Sequence, residues 1–199
     1  MKFTRLSTLA PAAFALAALF SVANMAQAAD APQVKFATTA GDFTVEVYPD
    51  KAPKTVENFL QYVQDKHYDG TQFHRVIDNF MVQGGGYDVK YAEKRTRAPV
   101  VHEGREAIAK GGPRNVVGTL AMARTNDPNS ATAQFFINVR DNSFLDPSVQ
   151  QPGYTVFGKV VGGMDVIQKI KTTPTGAGGP FPSDVPKTPI LINSATLVK

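Results

Sequence analysis

"QFHRVIDNFMVQGGG", residues 72–86, decides how this chain folds. Two short apolar runs flank Asp78-Asn79, and three consecutive glycines close the stretch. Apolar runs on either side of turn-forming residues read as a β-hairpin. Asp-Asn is a weaker two-residue turn signal than Asn-Gly or Asp-Gly. A three-residue loop, Ile77 to Asn79, would pair Val76 with Phe80 and Arg75 with Met81. Because side chains alternate along a strand, Phe73, Arg75, Met81 and Gln83 then share one face. His74, Val76 and Val82 take the other, which makes His74 a core histidine. Arg75 becomes a permanent cation among apolar groups with an amide nearby, and that is a binding surface. The plainer reading is a solvated arginine at a strand edge, where arginines usually sit. The run Gly84-Gly85-Gly86 reads as a place of close backbone approach or chain reversal.

Working outward, "VKFATTA" and "FTVEVY" flank Gly41-Asp42. The second alternates Phe43, Val45 and Val47 against Thr44, Glu46 and Tyr48, a half-buried strand hairpinned to the first. Between this hairpin and the quoted one, Val56, Phe59, Leu60 and Val63 recur at helical spacing. Pro53 sits where a first helical turn tolerates it, and Asp69-Gly70 ends the unit. Residues 87–117 are polar and aperiodic, a long excursion of the kind that is often functional. "GTLAMA" (118–123), "AQFFINV" (133–139) and "YTVFGKVV" (154–161) read as strands. "GMDVIQKIK" is a short helix with Val166, Ile167 and Ile170 on one face, and after the Gly/Pro-rich residues 174–189 "ILINSATLV" is a last strand. Many strands with two helices far apart predict an antiparallel barrel or sandwich with helical caps.

The first 28 residues stand apart. Lys2 and Arg5, an apolar stretch from Leu9 to Val22 and small residues at Ala26 and Ala28 describe a secretory signal peptide. The stretch is shorter than the ~20 residues a membrane span needs. Cleavage after Ala28 leaves 29–199 as one domain with no stable membrane association. Losing Lys2 and Arg5 lowers the formal net charge from +4 to +2, so nucleic acid is not expected as a partner. With no cysteine in the chain, an exported domain relies on its core, and thiol catalysis is excluded.

Other familiar chemistries are also missing. His67, His74 and His102 form no metal-ligand spacing, and neither a phosphate loop nor a nucleophile elbow occurs. What remains is the hairpin. "FHRVIDNFMVQGG", "GTLAMAR", "QFFI" and "VFGKVVGGMDV", in that order, resemble the cyclophilin family of peptidyl-prolyl cis-trans isomerases, in its bacterial periplasmic branch. The similarity runs from Val34 to Val198.

The resemblance implies a closed eight-stranded antiparallel β-barrel, mainly β, capped by two α-helices, with a substrate groove on its outer face. It makes Arg75 the catalytic residue. Phe80, Met81 and Gln83 become groove residues, Ala123 and Arg124 a backbone docking segment, and Gln134 and Phe136 the groove floor, with Leu145 beside it. Phe144 stands where many eukaryotic members carry Trp, Tyr154 where many carry His, and Arg124 where Asn is common. The backbone role at Arg124 should survive any side chain. Implied partners are proline-containing unfolded or partly folded polypeptides met in the periplasm by a monomer, with no cofactor and no metal. Cyclosporin, an inhibitor associated with the family, is expected to bind weakly. Two rivals are a proline-peptide binding module without turnover and a small-ligand barrel, which would need a hollow interior.

Overall fold

The computed structural model describes Met1 and residues 31–198, so the signal-peptide reading of residues 1–28 lies outside the described residues. The chain opens with β1 (Gln33–Thr38) and β2 (Gly41–Val47), paired in register with Phe36 opposite Phe43. Their turn is Thr39-Ala40 rather than Gly41-Asp42, which already belong to β2. Helix α1 (Pro53–Gln64) begins at its proline, as its missing N–H allows. It buries Val56, Phe59, Tyr62 and Val63. No side chain of its own caps this helix. The buried carboxylate of Glu103 does so instead, accepting from the Lys54 and Thr55 N–H groups (3.1 and 2.8 Å) and from the Thr55 hydroxyl (2.7 Å). An anion is favoured there by the positive end of the helix dipole.

The quoted stretch supplies β3 (Arg75–Ile77) and β4 (Met81–Gly84). The long excursion holds a six-residue helix, α2 (Gly104–Ala109), which lacks the length for a periodic signal. Then come β5 (Thr119–Met122), β6 (Phe135–Asn138), β7 (Val156–Gly162), helix α3 (Met164–Lys171), β8 (Thr175–Gly178), β9 (Phe181–Pro186) and β10 (Ile192–Val198). Eight strands form one antiparallel sheet in the order β10-β1-β2-β7-β5-β6-β4-β3, and β8-β9 is a separate hairpin.

Two expectations are corrected here. The sheet is curled but open, not a closed barrel: β10 and β3 are its two edges and share no ladder. The chain just before β3 and the start of β10 meet through backbone bonds between residues 70–73 and 190–192, such as Phe73 N to Ile190 O at 2.9 Å and Ile192 N to Thr71 O at 2.7 Å. Pro186 and Pro189 lie just before this contact and have no N–H to extend it. Among the described residues the α-helices number three rather than two.

Inside the curl the space is filled. Phe36 stacks on Phe43 with ring centroids 4.9 Å apart, Phe59 lies 5.1 Å from Phe157, and Phe135 meets Phe36 at 5.4 Å. These rings are fully buried. A hollow ligand-binding interior is therefore not what this sequence builds.

Candidate active site

Strand pairing carries Arg75 to the outer face. In β3–β4 Arg75 lies opposite Gln83, Val76 opposite Val82, and Ile77 opposite Met81. The loop is Asp78-Asn79-Phe80, displaced by one residue from Ile77–Asn79. Asn79 takes the left-handed conformation (φ 59°), which Asn tolerates better than the β-branched Ile77. Pairing therefore shifts by two positions, and a shift of two leaves each strand residue on its expected face. Phe73 and His74 are the exceptions: both precede β3, and the irregular step there turns Phe73 into the interior core and His74 away from it, against Tyr87 and Phe181.

The row continues across the sheet. Gln83 faces Phe136, Phe136 faces Ala121, and Ala121 faces Val156. On this outer face Met81, Ala121, Phe136, Leu145 and Val156 form a second apolar cluster, separate from the interior one. Met81 and Phe136 are thus buried without belonging to the main core. Above them lies a cavity of about 180 Å³, lined by Arg75, Phe80, Met81, Gln83 and Ala123, and completed by Arg124, Phe136, Leu145 and Tyr154. Arg75 itself is exposed. Among the described residues no carboxylate pairs with it.

Gln134 lines a neighbouring cavity of about 310 Å³ together with Gln83, Ala123 and Arg124. The two amides join the cavities, Gln83 Nε2 donating to Gln134 Oε1 at 3.0 Å. Gly86 makes room for this: a Cβ there would stand 2.5 Å from Gln134 Cγ. Gly85, at φ +87°, would bring one to 2.9 Å from Tyr68. The glycine run is a site of close approach, as its composition implies. Phe144 does not line the first cavity. It is 62% exposed and stacks on Phe80 at 5.7 Å, extending the apolar rim outward.

The Arg124 side chain has contacts of its own beside the backbone role expected there. Its Nε and Nη2 donate to Gly153 O (3.1 and 2.8 Å), Nη1 donates to Thr125 O (2.7 Å), and the guanidinium lies 4.6 Å from the Tyr154 ring centroid. Tyr154 in turn meets Phe136 edge-on at 5.4 Å. The side chain therefore contributes to the wall of the cavity. Of the backbone groups at this point, the Ala123 N–H is already given to Gln134 O (2.9 Å).

His74 is buried, but beneath the β8–β9 hairpin rather than in the curl, with Tyr87 and Phe181 at 4.7 and 5.4 Å. Burial pushes its pKa down to about 4, against a hydrogen bond to the Gln72 backbone that raises it and with a smaller push from the Arg75 charge. Among the described residues no three His, Asp or Glu side chains converge as a metal site requires.

Sequence reading missed the polar layer behind the apolar walls. Asn138 donates to the Asn115 side chain (3.2 Å) and the Thr119 hydroxyl (2.9 Å). Asn115 donates to Asp146 from its backbone (2.8 Å) and its side chain (3.0 Å). Asn142 is fully buried among them. The one available signal was an asparagine, Asn138, inside an otherwise apolar strand, where an unpaired amide would be costly.

Against known families, the profile of the cyclophilin type peptidyl-prolyl cis-trans isomerase/CLD matches residues 33–197. Peptidyl-prolyl cis-trans isomerase B of Escherichia coli is 50% identical over 167 residues, covering 82% of this chain and 98% of that protein. A peptidyl-prolyl cis-trans isomerase of Acinetobacter baylyi is 49% identical over 164 residues, 82% of this chain and 84% of that one. In structure, a cyclophilin type isomerase of Cryptosporidium parvum superposes with a TM-score of 0.67 over 85% of this chain and 98% of its own, at 23% identity. That last likeness speaks for the fold alone.

Proposed function

The chain belongs to the cyclophilin-type peptidyl-prolyl cis-trans isomerases, and from that premise we propose that it turns X-Pro bonds in exported polypeptides, with Arg75 as the donor to the prolyl nitrogen. The observation that carries this reading is the pairing of Arg75 with Gln83 at the rim of the outer apolar cluster.

Rotation about an amide is slow because the nitrogen lone pair is delocalised, with a barrier of ~18–20 kcal/mol. In the twisted transition state that lone pair is localised on nitrogen and can accept a hydrogen bond that the planar ground state cannot. A donor aimed there stabilises the twisted form selectively. Arginine suits this role because its guanidinium is rigid, donor-only and always charged. One such donor is worth ~3–4 kcal/mol, or roughly 10²–10³ in rate. The remainder comes from holding the proline ring on Phe80, Met81, Phe136 and Leu145 while Gln83 and the backbone at Ala123 and Arg124 fix the flanking chain. The 10²-scale share assigned to Arg75 is measured by a protease-coupled isomerisation assay on wild type and Arg75→Ala.

Export rests on residues 1–28, and the mature chain is read as a periplasmic monomer starting at Ala29. Intact mass of the protein recovered from the periplasmic fraction tests this; a species that still carries residues 1–28 contradicts it.

A further inference from the structure

We propose that Asn142 is a positioning residue that fixes the spacing between the two apolar walls of the groove, and so sets how tightly a proline ring is held. One wall is Phe80, in the hairpin loop, and Met81, at the start of β4; the other is Leu145, in a single 3-10 turn over Ser143–Leu145 that also carries the exposed Phe144 of the rim. No strand pairing joins that turn to β4. Asn142 spans them. Its Nδ2 donates to Phe80 O at 2.8 Å and to Asn138 Oδ1 at 2.7 Å. Its backbone carbonyl accepts from Leu145 N at 2.8 Å, and its own N–H is given to Asn115 O at 2.8 Å. One buried residue thus ties the loop of the β3–β4 hairpin, the end of β6 and the second wall together.

The amide also carries a cost. Asn142 Oδ1 is buried with no partner, and leaving a buried acceptor unmade is unfavourable. An apolar side chain of similar size would fill the position without that penalty. What it could not do is supply two N–H donors to two acceptors on different elements. The geometry therefore assigns the value of this residue to where it holds the walls, not to filling space.

This inference rests on the groove being the proline site, and the experiment separates the two ideas. KM and kcat are measured on a short Ala-Pro peptide for wild type, Asn142→Ala, Asn142→Ser and Asn142→Asp, with the thermal midpoint of each. Looser walls hold the proline ring less well, so kcat/KM falls about fivefold or more in Asn142→Ala, most of it through a raised KM. Asn142→Ser keeps one donor and falls between Ala and wild type.

Asn142→Asp gives a signature that loss of stability does not. Ionised, its carboxylate sets acceptor against acceptor at Phe80 O and Asn138 Oδ1, and KM is high at neutral pH. Protonated, it regains one donor, and burial raises the pKa at which this happens. KM in Asn142→Asp therefore recovers as pH falls from about 8 to 5, over a range in which the wild type is flat. The charged groups around the position are Asp141, Asp146 and Arg114; on the introduced carboxyl of Asn142→Asp the two acids act to raise the pKa and the arginine to lower it, and all three are unchanged in the other variants. A wild-type KM in Asn142→Ala and Asn142→Ser, with only the thermal midpoint lowered, overturns the proposal. So does a pH-independent KM in Asn142→Asp; should that variant not fold, the order Ala, Ser, wild type decides alone. Arg75→Ala runs alongside: full activity there sinks the groove reading itself, whereas its loss beside normal Asn142 variants sinks only this one.

Discussion

Arg75 and Gln83 are direct cross-strand partners, and the row they begin runs through Phe136 to Ala121 across the outer face of the sheet. Directly opposed residues hold their Cβ atoms ~4.5–5.5 Å apart. A cation and an amide are thereby fixed side by side at the edge of an apolar floor. The backbone ladder, not the side chains, sets their spacing.

Arg75→Ala should therefore lower kcat/KM by about 10²-fold or more without unfolding the protein, since an exposed strand residue carries little stability. Arg75→Lys keeps the charge but not the planar fork, and should remain at least about tenfold impaired. Near-normal turnover of either variant in the protease-coupled assay would remove Arg75 from the mechanism.

His74 directly precedes Arg75 in the chain but is buried away from the groove, and it titrates differently from a free histidine. Its pKa is held near 4 in the folded protein, below the usual value of 6.5. In that window the unfolded chain binds the proton and the folded one does not, so stability rises with pH. The contribution is present above the usual histidine pKa and is lost as pH falls from 6.5 toward 4, at most roughly 3 kcal/mol in all. His74→Phe should flatten the fall of thermal midpoint across this range. His67 and His102, whose pKa values are also lowered by burial, account for what slope remains. An unchanged slope in His74→Phe would place the titration elsewhere.

The sequence carried the parity of the hairpin but not its register. Faces follow from a period of two, and a shift of two residues is invisible to that pattern. The open edge was equally hidden, because it depends on where residues 70–73 and 190–192 meet in space. Hairpin β8–β9 lies in a Gly/Pro-rich stretch with low strand propensity. It is held instead by Phe181 against His74, Tyr87 and Tyr91, all of them far back along the chain. Asn142 and the side-chain contacts of Arg124 escaped for the same reason: their partners Phe80 and Gly153 are distant in sequence. The apolar walls were legible because the family's motifs name them, one short segment at a time.

Glu103 shows how such a distant contact can matter to the fold and not to the site. It accepts three hydrogen bonds at the start of α1, and its removal leaves buried donors unpaired. Glu103→Ala should destabilise the protein by about 2–4 kcal/mol, read as a lower urea midpoint at unchanged m. Activity of the folded fraction should stay at the wild-type level. A midpoint within experimental error of wild type would show that water replaces the carboxylate without loss.

The last expectation concerns cyclosporin and the outer rim. Phe144 projects into solvent beside the cavity and stacks on Phe80, while its carbonyl is held by Gln151 Nε2 at 2.7 Å. A tryptophan should be accommodated there, since the ring is largely exposed and stacks on Phe80. Phenylalanine offers an apolar face but no N–H, whereas an indole adds one donor and more contact area. A ligand acceptor left without that donor loses ~1–3 kcal/mol, or roughly 5- to 150-fold in affinity. Wild type should therefore bind the drug weakly while isomerising normally, and Phe144→Trp should tighten inhibition at least severalfold. Turnover of a short proline peptide should change little, because the ring lies outside the cavity that would hold the proline. Titrating both proteins in one assay gives the answer. Equal inhibition constants would transfer control of drug affinity to Tyr154, which packs against Arg124 and Phe136, and to the 87–117 loop.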